Sequence, residues 1–439
     1  MTDLFAALDL GSNSFHLMLA RRAGEGLATV ERLKEKVQLL SGFSDGLLHP
    51  AAMARGEACL ARYAQRLAGL PRDNIRMVGT HALREAENRG EFIAAAERIM
   101  GTPLEVVPGT EEARLIYLGV AHHAPWDPRQ PRLVVDIGGG STELAWSGPP
   151  ERPGEPGRTA SFKLGCVSLT DRYFAAQVGQ RQAFQAARDV ALEGFASLGP
   201  VGRDCAVIGT SGTVESVQTV LAANGWGAEA ITPEGLGALT DAIVSGRWLV
   251  DAGVPGLPPD RVDIFPAGVA LVSALFAVLE AASMRFVDAS LQDGLLHRDL
   301  GPPPEGVDQR DLAVADLKRR YRVDEAQALR VRSTALALFD GCRSWWPDPE
   351  RWRGLLGWAA ELHELGMAIA PRHYHRHGAY VLQNSDLRAF SRTEQEQLAL
   401  LVRGHRRSFP GMAFRAYEAA PRAELERLLA LLRIAVILH

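Results

Sequence analysis

The sequence predicts an α/β fold with two related lobes, followed by a separate all-α domain. A strand-turn-strand pattern at Phe5 to Leu17 is repeated at Leu133 to Leu144, and both copies share D-[LI]-G-x-x-S-x-x-L. Strand and helix patterns alternate around these copies, as in a mixed or parallel sheet covered by helices. After residue 306 the strand signals disappear and helical periodicity dominates. We therefore expect lobes at residues 1–124 and 125–304, and a helical domain at residues 305–439.

The individual elements follow from local patterns. In each repeat, an apolar strand ends at an aspartate, a Gly/Ser/Asn turn follows and apolar residues resume, which predicts a hairpin. Between the repeats we predict helices at 51–67 and 89–100 and strands at 75–80 and 104–109. The Pro- and Gly-rich stretch 147–159 predicts an exposed loop between strands. The apolar stretch 267–279 is shorter than the ~20 residues of a bilayer span and predicts a buried helix.

Composition narrows the class of protein. The chain has 439 residues, of which 47% are hydrophobic and 23% charged, so it can bury substantial cores. The net charge of −4 argues against a surface built to hold nucleic acid. The four cysteines show no CxxC spacing, which predicts neither a zinc site nor a disulfide framework. The start MTDLFAALDLG lacks the basic and apolar regions of a leader, so we expect a cytoplasmic protein without membrane insertion.

The chain stops at LLALLRIAVILH, an apolar helical run with no helix-ending signal behind it. We expect either that a longer natural chain has been cut here or that a final domain is absent.

Three turns have the composition of phosphate-binding loops. Glycines let a backbone approach an anion closely, successive N–H groups can point at it, and hydroxyl groups add donors. The third turn follows the strand CAVI and opens a helix, whose dipole also favours an anion. The alternatives are tight hairpins for the first two turns and a capped helix start for the third. The residues concerned are Gly11, Ser12, Asn13, Ser14, Gly138, Gly139, Gly140, Ser141, Thr142, Ser211, Gly212 and Thr213.

Together, nine segments resemble the exopolyphosphatase and guanosine pentaphosphate phosphohydrolase family and span nearly the whole chain. They are DLGSNSFHLML, GTHALR, GTEEARLIYLGV, VVDIGGGSTEL, LGCVSLT, GTSGTVES, FPAG, LHELG and NSDL. The resemblance implies a two-lobed actin-like (ribonuclease-H-like) ATPase-superfamily fold with a phosphate-binding cleft. It also implies a degenerate HD-like helical domain and a homodimer.

The resemblance also assigns residues. The family's catalytic glutamate falls on Glu112, as general base toward water, although Glu111 and Glu112 both suit the first turn of a helix without any chemistry. Asp136 and Glu143 match the metal-associated acids, which predicts Mg²⁺, a cation that takes one or two carboxylates plus substrate oxygens. Asp9 either holds the metal through water or braces its own turn.

Two further matches concern the substrate and a thiol. Arg84 matches a family arginine near the substrate, and a guanidinium fork suits a phosphate; Asn13 matches a loop residue in the same way. Cys166 lies in a family motif, where a buried small thiol is the favoured interpretation.

The helical domain carries two open questions. His363-Glu364 replaces the His-Asp pair of HD hydrolases, so no active second metal centre is expected there. A histidine tract nearby can also bind metal, although no ligand spacing supports this. Arginines and histidines near 372–377 and 403–407, with Lys318 to Arg322, either line a basic channel for a long polyanion or form solvated helix faces.

The sequence thus predicts an exopolyphosphatase that releases terminal orthophosphate from inorganic polyphosphate by metal-assisted attack of water. The alternative within the family is a guanosine pentaphosphate (pppGpp) 5′-phosphohydrolase, which would act in the stringent response. An actin-like kinase or ATPase, and a non-catalytic regulator that binds polyphosphate or pppGpp, remain as further classes. Because phosphoryl transfer to water needs positioning, charge neutralisation and a base, the predicted residues suit a hydrolase.

Overall fold

The computed structural model describes most of the chain as two compact units. The first comprises residues 1–22 and 29–303, and the second comprises residues 23–28 and 304–439. The described residues are 4–23, 26–123, 130–148, 156–174, 180–202, 204–227, 229–245, 254–300, 308–385, 387, 390, 392–407 and 419–439. Both predicted boundaries, near 124 and 304, lie outside these ranges and stay predictions.

The first sheet of the first unit has the strand order β3-β2-β1-β4-β5. Its strands are β1 (Leu4–Leu10), β2 (Ser14–Ala23), β3 (Gly26–Lys36), β4 (Ile75–Gly79) and β5 (Leu104–Val106). The helices that accompany it are α1 (Pro50–Arg66), α2 (His81–Glu85), α3 (Arg89–Met100) and α4 (Gly109–His123). β1 pairs antiparallel with β2 and parallel with β4, so the predicted first hairpin is confirmed.

The second sheet repeats this order as β8-β7-β6-β9-β10. Its strands are β6 (Arg132–Ile137), β7 (Thr142–Ser147), β8 (Pro156–Phe162), β9 (Ala206–Thr210) and β10 (Met284–Phe286). Its helices are α5 (Cys166–Leu169), α6 (Gln180–Phe195), α7 (Ser211–Ala223), α8 (Pro233–Val244), α9 (Phe265–Leu279) and α10 (Leu291–Leu300). The buried helix predicted at 267–279 is α9. Of the predicted loop 147–159, residues 149–155 lie outside the described ranges.

The duplication places equivalent residues at equivalent points. Asp9 is the second-last residue of β1 and pairs in register with His16, while Asp136 occupies the same place in β6 and pairs with Glu143. Each sheet has its own apolar core, because the strands bury mainly aliphatic side chains against the helices. The predicted two-lobed α/β architecture is therefore confirmed.

In the second unit, every regular element described from residue 308 onward is helical, as predicted. The main helices are α11 (Gln309–Arg320), α12 (Glu325–Gly341), α13 (Pro349–Leu362), α14 (Tyr374–Asn384), α15 (Arg392–Gly404) and α16 (Ala419–Ile437). They share a separate core of leucines, alanines and tryptophans. Across the described residues of the chain, no helix has both the length and the apolar character that crossing a bilayer requires.

A buried ion pair joins the first sheet to α10. Asp293, whose side chain is 2% exposed, accepts a 2.6 Å hydrogen bond from Arg32 of β3. It also accepts bonds from the backbone N–H and hydroxyl of Ser290, and His123 Nε2 at the end of α4 lies 3.1 Å away. Burial alone would raise the pKa of Asp293, but Arg32 and His123 hold it well below its usual range. This carboxylate ties β3, α4 and α10 together.

We expect Asp293→Asn to lower the free energy of unfolding by about 3 kcal/mol, because Arg32 would keep its charge beside a neutral partner. Since the pKa of Asp293 is depressed in the folded state, its contribution is present above the unfolded value of about 3.9 and is lost as the pH falls further. Chemical denaturation of the first unit's transition at pH 7 measures the change. Glu31→Gln, which removes an exposed pair with Arg66, should cost less than about 1 kcal/mol. Equal losses in the two variants would contradict the assignment.

Candidate active site

The predicted residues gather at a cleft between the two sheets of the first unit. A cavity of about 340 Å³ is lined by both repeat turns, by the start of α7 and by Glu112 of α4. The lining includes Gly11 to Ser14, Gly138 to Ser141 and Ser211 to Thr213. Arg84, Glu143 and Thr142 are not part of this lining.

The two repeat turns are built to leave backbone N–H groups available. In the second turn, the N–H of Gly138 donates to the Ser141 carbonyl at 2.9 Å. The N–H groups of Gly139 and Gly140 donate to no carbonyl oxygen among the described residues. A Cβ added to Gly139 would lie 3.4 Å from the Cβ of Asn13, so the two turns approach each other closely across the cleft. This geometry suits an anion held between them.

Thr142 differs from the other predicted substrate contacts. It is fully buried, and its hydroxyl donates a 2.6 Å hydrogen bond to the Leu164 carbonyl. The hydroxyl therefore stabilises the base of the turn and does not reach the cavity. Sequence reasoning placed it with Ser141 because hydroxyl composition alone does not reveal side-chain direction.

The third loop combines a helix N-terminus with an arginine. Ser211 has a φ of 72° and donates its hydroxyl to the Ile137 carbonyl at 3.0 Å. A Cβ added to Gly212 would lie 1.7 Å from Nη2 of Arg261, so glycine is needed there for the guanidinium to fit. A cation beside a helix N-terminus is unfavourable by itself. An anion bound between the N–H groups and the guanidinium would remove that conflict.

Glu112 is held by Arg84 beside the cavity. Arg84 Nη1 donates to Glu112 Oε2 at 2.5 Å and to the Val107 carbonyl, while Nη2 donates to Ser141 Oγ at 3.3 Å. Burial raises the pKa of Glu112 to about 7, against the opposing effect of Arg84. A carboxylate with a pKa near neutrality is suited to general-base work.

The neighbouring acid is in a different environment. Glu111 is bonded by Arg114 within the same helix at 2.8 and 2.9 Å and lies outside the cavity lining. The geometry thus distinguishes the two glutamates in the first turn of α4. Glu111 is paired on the helix surface, and Glu112 lies in the cleft.

Three more buried carboxylates surround this point and could hold a divalent cation. Burial raises the pKa of Asp9, Asp136 and Glu143, and the nearby carboxylates add to the effect for Asp9 and Glu143. Asp9 Oδ1 and Glu143 Oε2 are buried without a hydrogen-bond partner. Unpaired buried carboxylate oxygens fit a magnesium ion, which offsets their charge. No three His, Cys, Asp or Glu side chains in the described ranges form a closed ligand set, and magnesium needs none, because it keeps waters and substrate oxygens.

Partners fix two of these carboxylates. Thr210 Oγ1 donates to Asp136 Oδ2 at 2.7 Å, and Ser161 Oγ donates to Glu143 Oε1 at 2.8 Å. Arg84 Nη2 lies 3.5 Å from Glu143 Oε1. Arg84 and Glu143 therefore lie just behind the cavity lining, and Arg84 orients Glu112 and Ser141 from there.

Sequence reasoning missed several cavity residues: Lys34, Arg261, His16 and His81. Partial burial and the nearby Arg261 lower the pKa of Lys34, so two cations from opposite lobes face one space. Burial and these cations lower the pKa of His16 to about 3, which keeps it neutral. Lys34 lies in the charged alternation ERLKEK, typical of a solvated edge strand, and Arg261 follows a Pro-Pro turn. Neither pattern signals a site before the fold is known.

The duplicated sheets define a two-lobed α/β protein whose lobes meet at the cleft described above. Residues 18–302 match the Ppx/GppA phosphatase family, and residues 309–439 match Ppx/GppA phosphatase, domain III. The chain belongs to this family.

Solved structures agree with this assignment. The chain is 27% identical to an exopolyphosphatase-like protein, with a TM-score of 0.56 over 67% of this chain and 97% of that one. It is 21% identical to an Aquifex aeolicus PPX-GPPA enzyme, with a TM-score of 0.54 over 67% and 99% of the two chains. It is also 21% identical to an exopolyphosphatase from Cytophaga hutchinsonii, with a TM-score of 0.56 over 68% and 97%. The latter two likenesses concern the fold.

We expect Arg84→Gln to move the acid limb of the kcat/KM profile for phosphate release to higher pH. Arg84 favours the ionised form of Glu112, so its removal should raise the pKa of that carboxyl above about 7. Activity at pH 6 should then fall by more than activity at pH 8.5. Arg114→Gln, which removes the partner of Glu111, should leave the limb in place. If the acid limb of the kcat/KM profile is the same in Arg84→Gln as in the wild type, ionisation of Glu112 does not set that limb.

Proposed function

We propose that this phosphatase is an exopolyphosphatase, which releases terminal orthophosphate from inorganic polyphosphate by metal-assisted attack of water. The observation that carries the proposal is the position of Glu112. Its carboxylate lines the cavity that the two anion-binding turns also line, and Arg84 links it to Ser141 of the second turn. A base beside a phosphate site, with no lysine or histidine nucleophile required, suits direct transfer to water.

The residues divide the chemistry between them. The N–H groups of the two turns and the hydroxyls of Ser12, Ser14 and Ser141 would hold the terminal phosphate. Glu112 would orient a water molecule and take its proton as the oxygen of that water bonds to phosphorus. The bridging P–O bond breaks in line, which yields orthophosphate and a chain shorter by one unit. General-base assistance of this kind contributes about 10²–10⁴ in rate.

The buried carboxylates fit a magnesium ion, and we propose Asp136 and Glu143 as its protein-side holders, with Asp9 beside them. When bound, the ion would neutralise charge on the phosphate oxygens. The support is the pair of unpartnered oxygens, Asp9 Oδ1 and Glu143 Oε2, in a buried and otherwise anionic corner.

Two features favour a long polyanion over other phosphorylated substrates. Lys34 and Arg261 extend the positive lining of the cleft beyond the turns. In the second unit, Arg372, Arg376, Arg403, Arg406 and Arg407 are exposed. A net-acidic chain that binds a polyanion has to concentrate its positive charge locally, and each of these two sets of basic residues would do so within its own unit. Hydrolysis of pppGpp, which shares a terminal phosphate, is the alternative substrate within the family.

The basic-channel hypothesis needs one correction. Lys318 is only 12% exposed and forms an ion pair with Glu361, so its ammonium group is directed to a partner within the unit instead of to solvent. His375 and His405 are also buried, and Nδ1 of His405 lies 2.6 Å from the Val402 carbonyl of the same unit. Because a side chain at a helix end can fold onto the core, a run of basic letters overestimates the exposed charge. The exposed arginines alone remain as candidates.

We expect Glu112→Gln to reduce phosphate release by at least about 10²-fold, because the amide cannot accept the proton of water. Glu111→Gln is the matched control and should retain activity within a few-fold. Release is measured side by side on long-chain polyphosphate, pppGpp and ATP, with Mg²⁺ and with excess chelator. Full activity in chelator would contradict the metal proposal. Preference for pppGpp or ATP over polyphosphate would replace the proposed substrate, and loss only in Glu111→Gln would move the base.

We also expect Arg403→Glu, Arg406→Glu and Arg407→Glu, combined, to weaken binding of long polyphosphate while short chains are hardly affected. Each engaged arginine should release counterions, so the salt slope for long chains should become shallower by about 0.7 per arginine, by analogy with single-stranded nucleic acids. The control triple reverses Arg330, Arg343 and Arg427, which are exposed elsewhere on the second unit. Identical behaviour of the two folded triples would mean that the predicted channel arginines are solvated helix faces.

A further inference from the structure

The short helix α2 spans from the first repeat to the second. Its Glu85 accepts a 2.7 Å hydrogen bond from Lys163, at the end of β8. Arg84, the residue before Glu85, reaches Ser141 and Glu143. At the start of the helix, His81 reaches the second phosphate-binding turn. Of these contacts, that of His81 has no role in the chemistry described so far.

The imidazole of His81 packs closely against the turn at Gly140. A Cβ added to Gly140 would lie 2.1 Å from Cδ2 and 2.8 Å from Nε2 of His81. Real Cβ atoms do not approach other atoms this closely, so the bare glycine is what admits the ring. Gly140 thus makes room for the ring. Its own backbone N–H donates to no carbonyl oxygen among the described residues, so it also stays available to a ligand.

The ring of His81 is placed to meet a ligand. It lines the cavity, and within the described ranges neither ring nitrogen forms a hydrogen bond to the protein. Its nitrogens are not sealed in the core either, since His81 is only half-buried. A polar ring at a phosphate turn, with open nitrogens, is placed to donate rather than merely to fill space.

The charge state of the ring agrees with such a role. Burial, with help from Arg84 and Lys163, lowers the pKa of His81 to about 4, although Glu85 acts in the opposite direction. The free protein therefore holds a neutral imidazole at pH 7. A neutral imidazole has one N–H donor and one acceptor nitrogen.

We propose that His81 is a substrate-contact residue, which donates its ring N–H to a phosphate oxygen bound at the second turn, beside the N–H of Gly140. This rests on the proposed function, since the oxygen belongs to the phosphate chain that the cleft would hold. The ring supplies from the first lobe a donor to a phosphate that the second lobe grips. Its contribution is greatest where negative charge grows during transfer.

The kinetic test compares His81→Leu, which fills the space without a donor, with His81→Gln, which restores an N–H at similar reach. We expect His81→Leu to lower kcat/KM for polyphosphate by about 10², the loss typical of one preorganised donor. His81→Gln should recover most of that loss. His49→Gln, at an exposed histidine outside the cleft, controls for general effects of the substitution. Equal activity in the Leu and Gln variants, whether high or low, would overturn the proposal. Only a hydrogen-bond donor role predicts that the Gln variant is more active than the Leu variant.

A second measurement observes the ring without catalysis. Glu112→Gln protein with ¹⁵N-labelled histidine is titrated with tripolyphosphate, and the His81 signal is assigned from its absence in the Glu112→Gln/His81→Gln variant. A shift of the His81 ring nitrogen on saturation supports the contact, and an unmoved ring nitrogen in a saturated protein overturns it. The two hypotheses fail differently. If the wild type releases no phosphate, the proposed function fails while this titration still tests the contact.

Discussion

The site depends on one electrostatic constraint, the confinement of several carboxylates in one buried corner. Burial raises the pKa values of Asp9, Asp136, Glu143 and Glu112, and neighbouring carboxylates raise those of Asp9, Glu143 and Glu112 further. Like charges in a medium of low effective dielectric repel strongly, so such a cluster persists only with cationic and hydrogen-bonding partners. Arg84 is the principal partner supplied by the chain, since it bonds Glu112 and lies beside Glu143. The oxygens that it leaves unpaired define where an external cation fits. The same arginine joins the acid cluster to Ser141, so charge compensation and the phosphate site are one arrangement.

A second feature of the site is that side chains from other elements pack directly against the backbone of glycine residues. Three glycines leave room for a side chain from another element: Gly109 for Ser161, Gly140 for His81 and Gly212 for Arg261. In each case an added Cβ would lie within 2.1 Å of a side-chain atom, so the bare backbone is needed for the functional group to be there. The last two contacts bring an imidazole and a guanidinium to the cleft from elements distant in sequence, and the first lets Ser161 reach Glu143 behind the cleft. The missing side chain of glycine thus decides which groups from other elements can lie at these positions, and it also gives the turns their conformational freedom.

The sequence predicted the parts of the fold that local sequence patterns determine. Both hairpins, α9 and the switch to helices follow from periodicity, and the shared aspartates followed from the repeat. Glu112 was distinguished from Glu111 by the family resemblance alone, because the local patterns of the two are the same and the difference between them is the tertiary contact of Glu112 with Arg84. Lys34, Arg261 and His81 were missed because strand alternation, a proline turn and a five-residue helix look alike with or without a cleft nearby. Lys318 was overestimated for the opposite reason, since its partner Glu361 is 43 positions away.

Helix α4 links the two ends of this arrangement. Glu112 is in its first turn, and His123, beside Asp293, is its last residue. At 1.5 Å per residue the helix is about 22 Å long. Close contacts of Leu115 with Gly294 and of Gly119 with Ser290 also hold the middle of the helix against α10. Glu112 and the buried ion pair of Asp293 are therefore attached to one continuous segment, and we expect damage to the ion pair to reach the cleft through it.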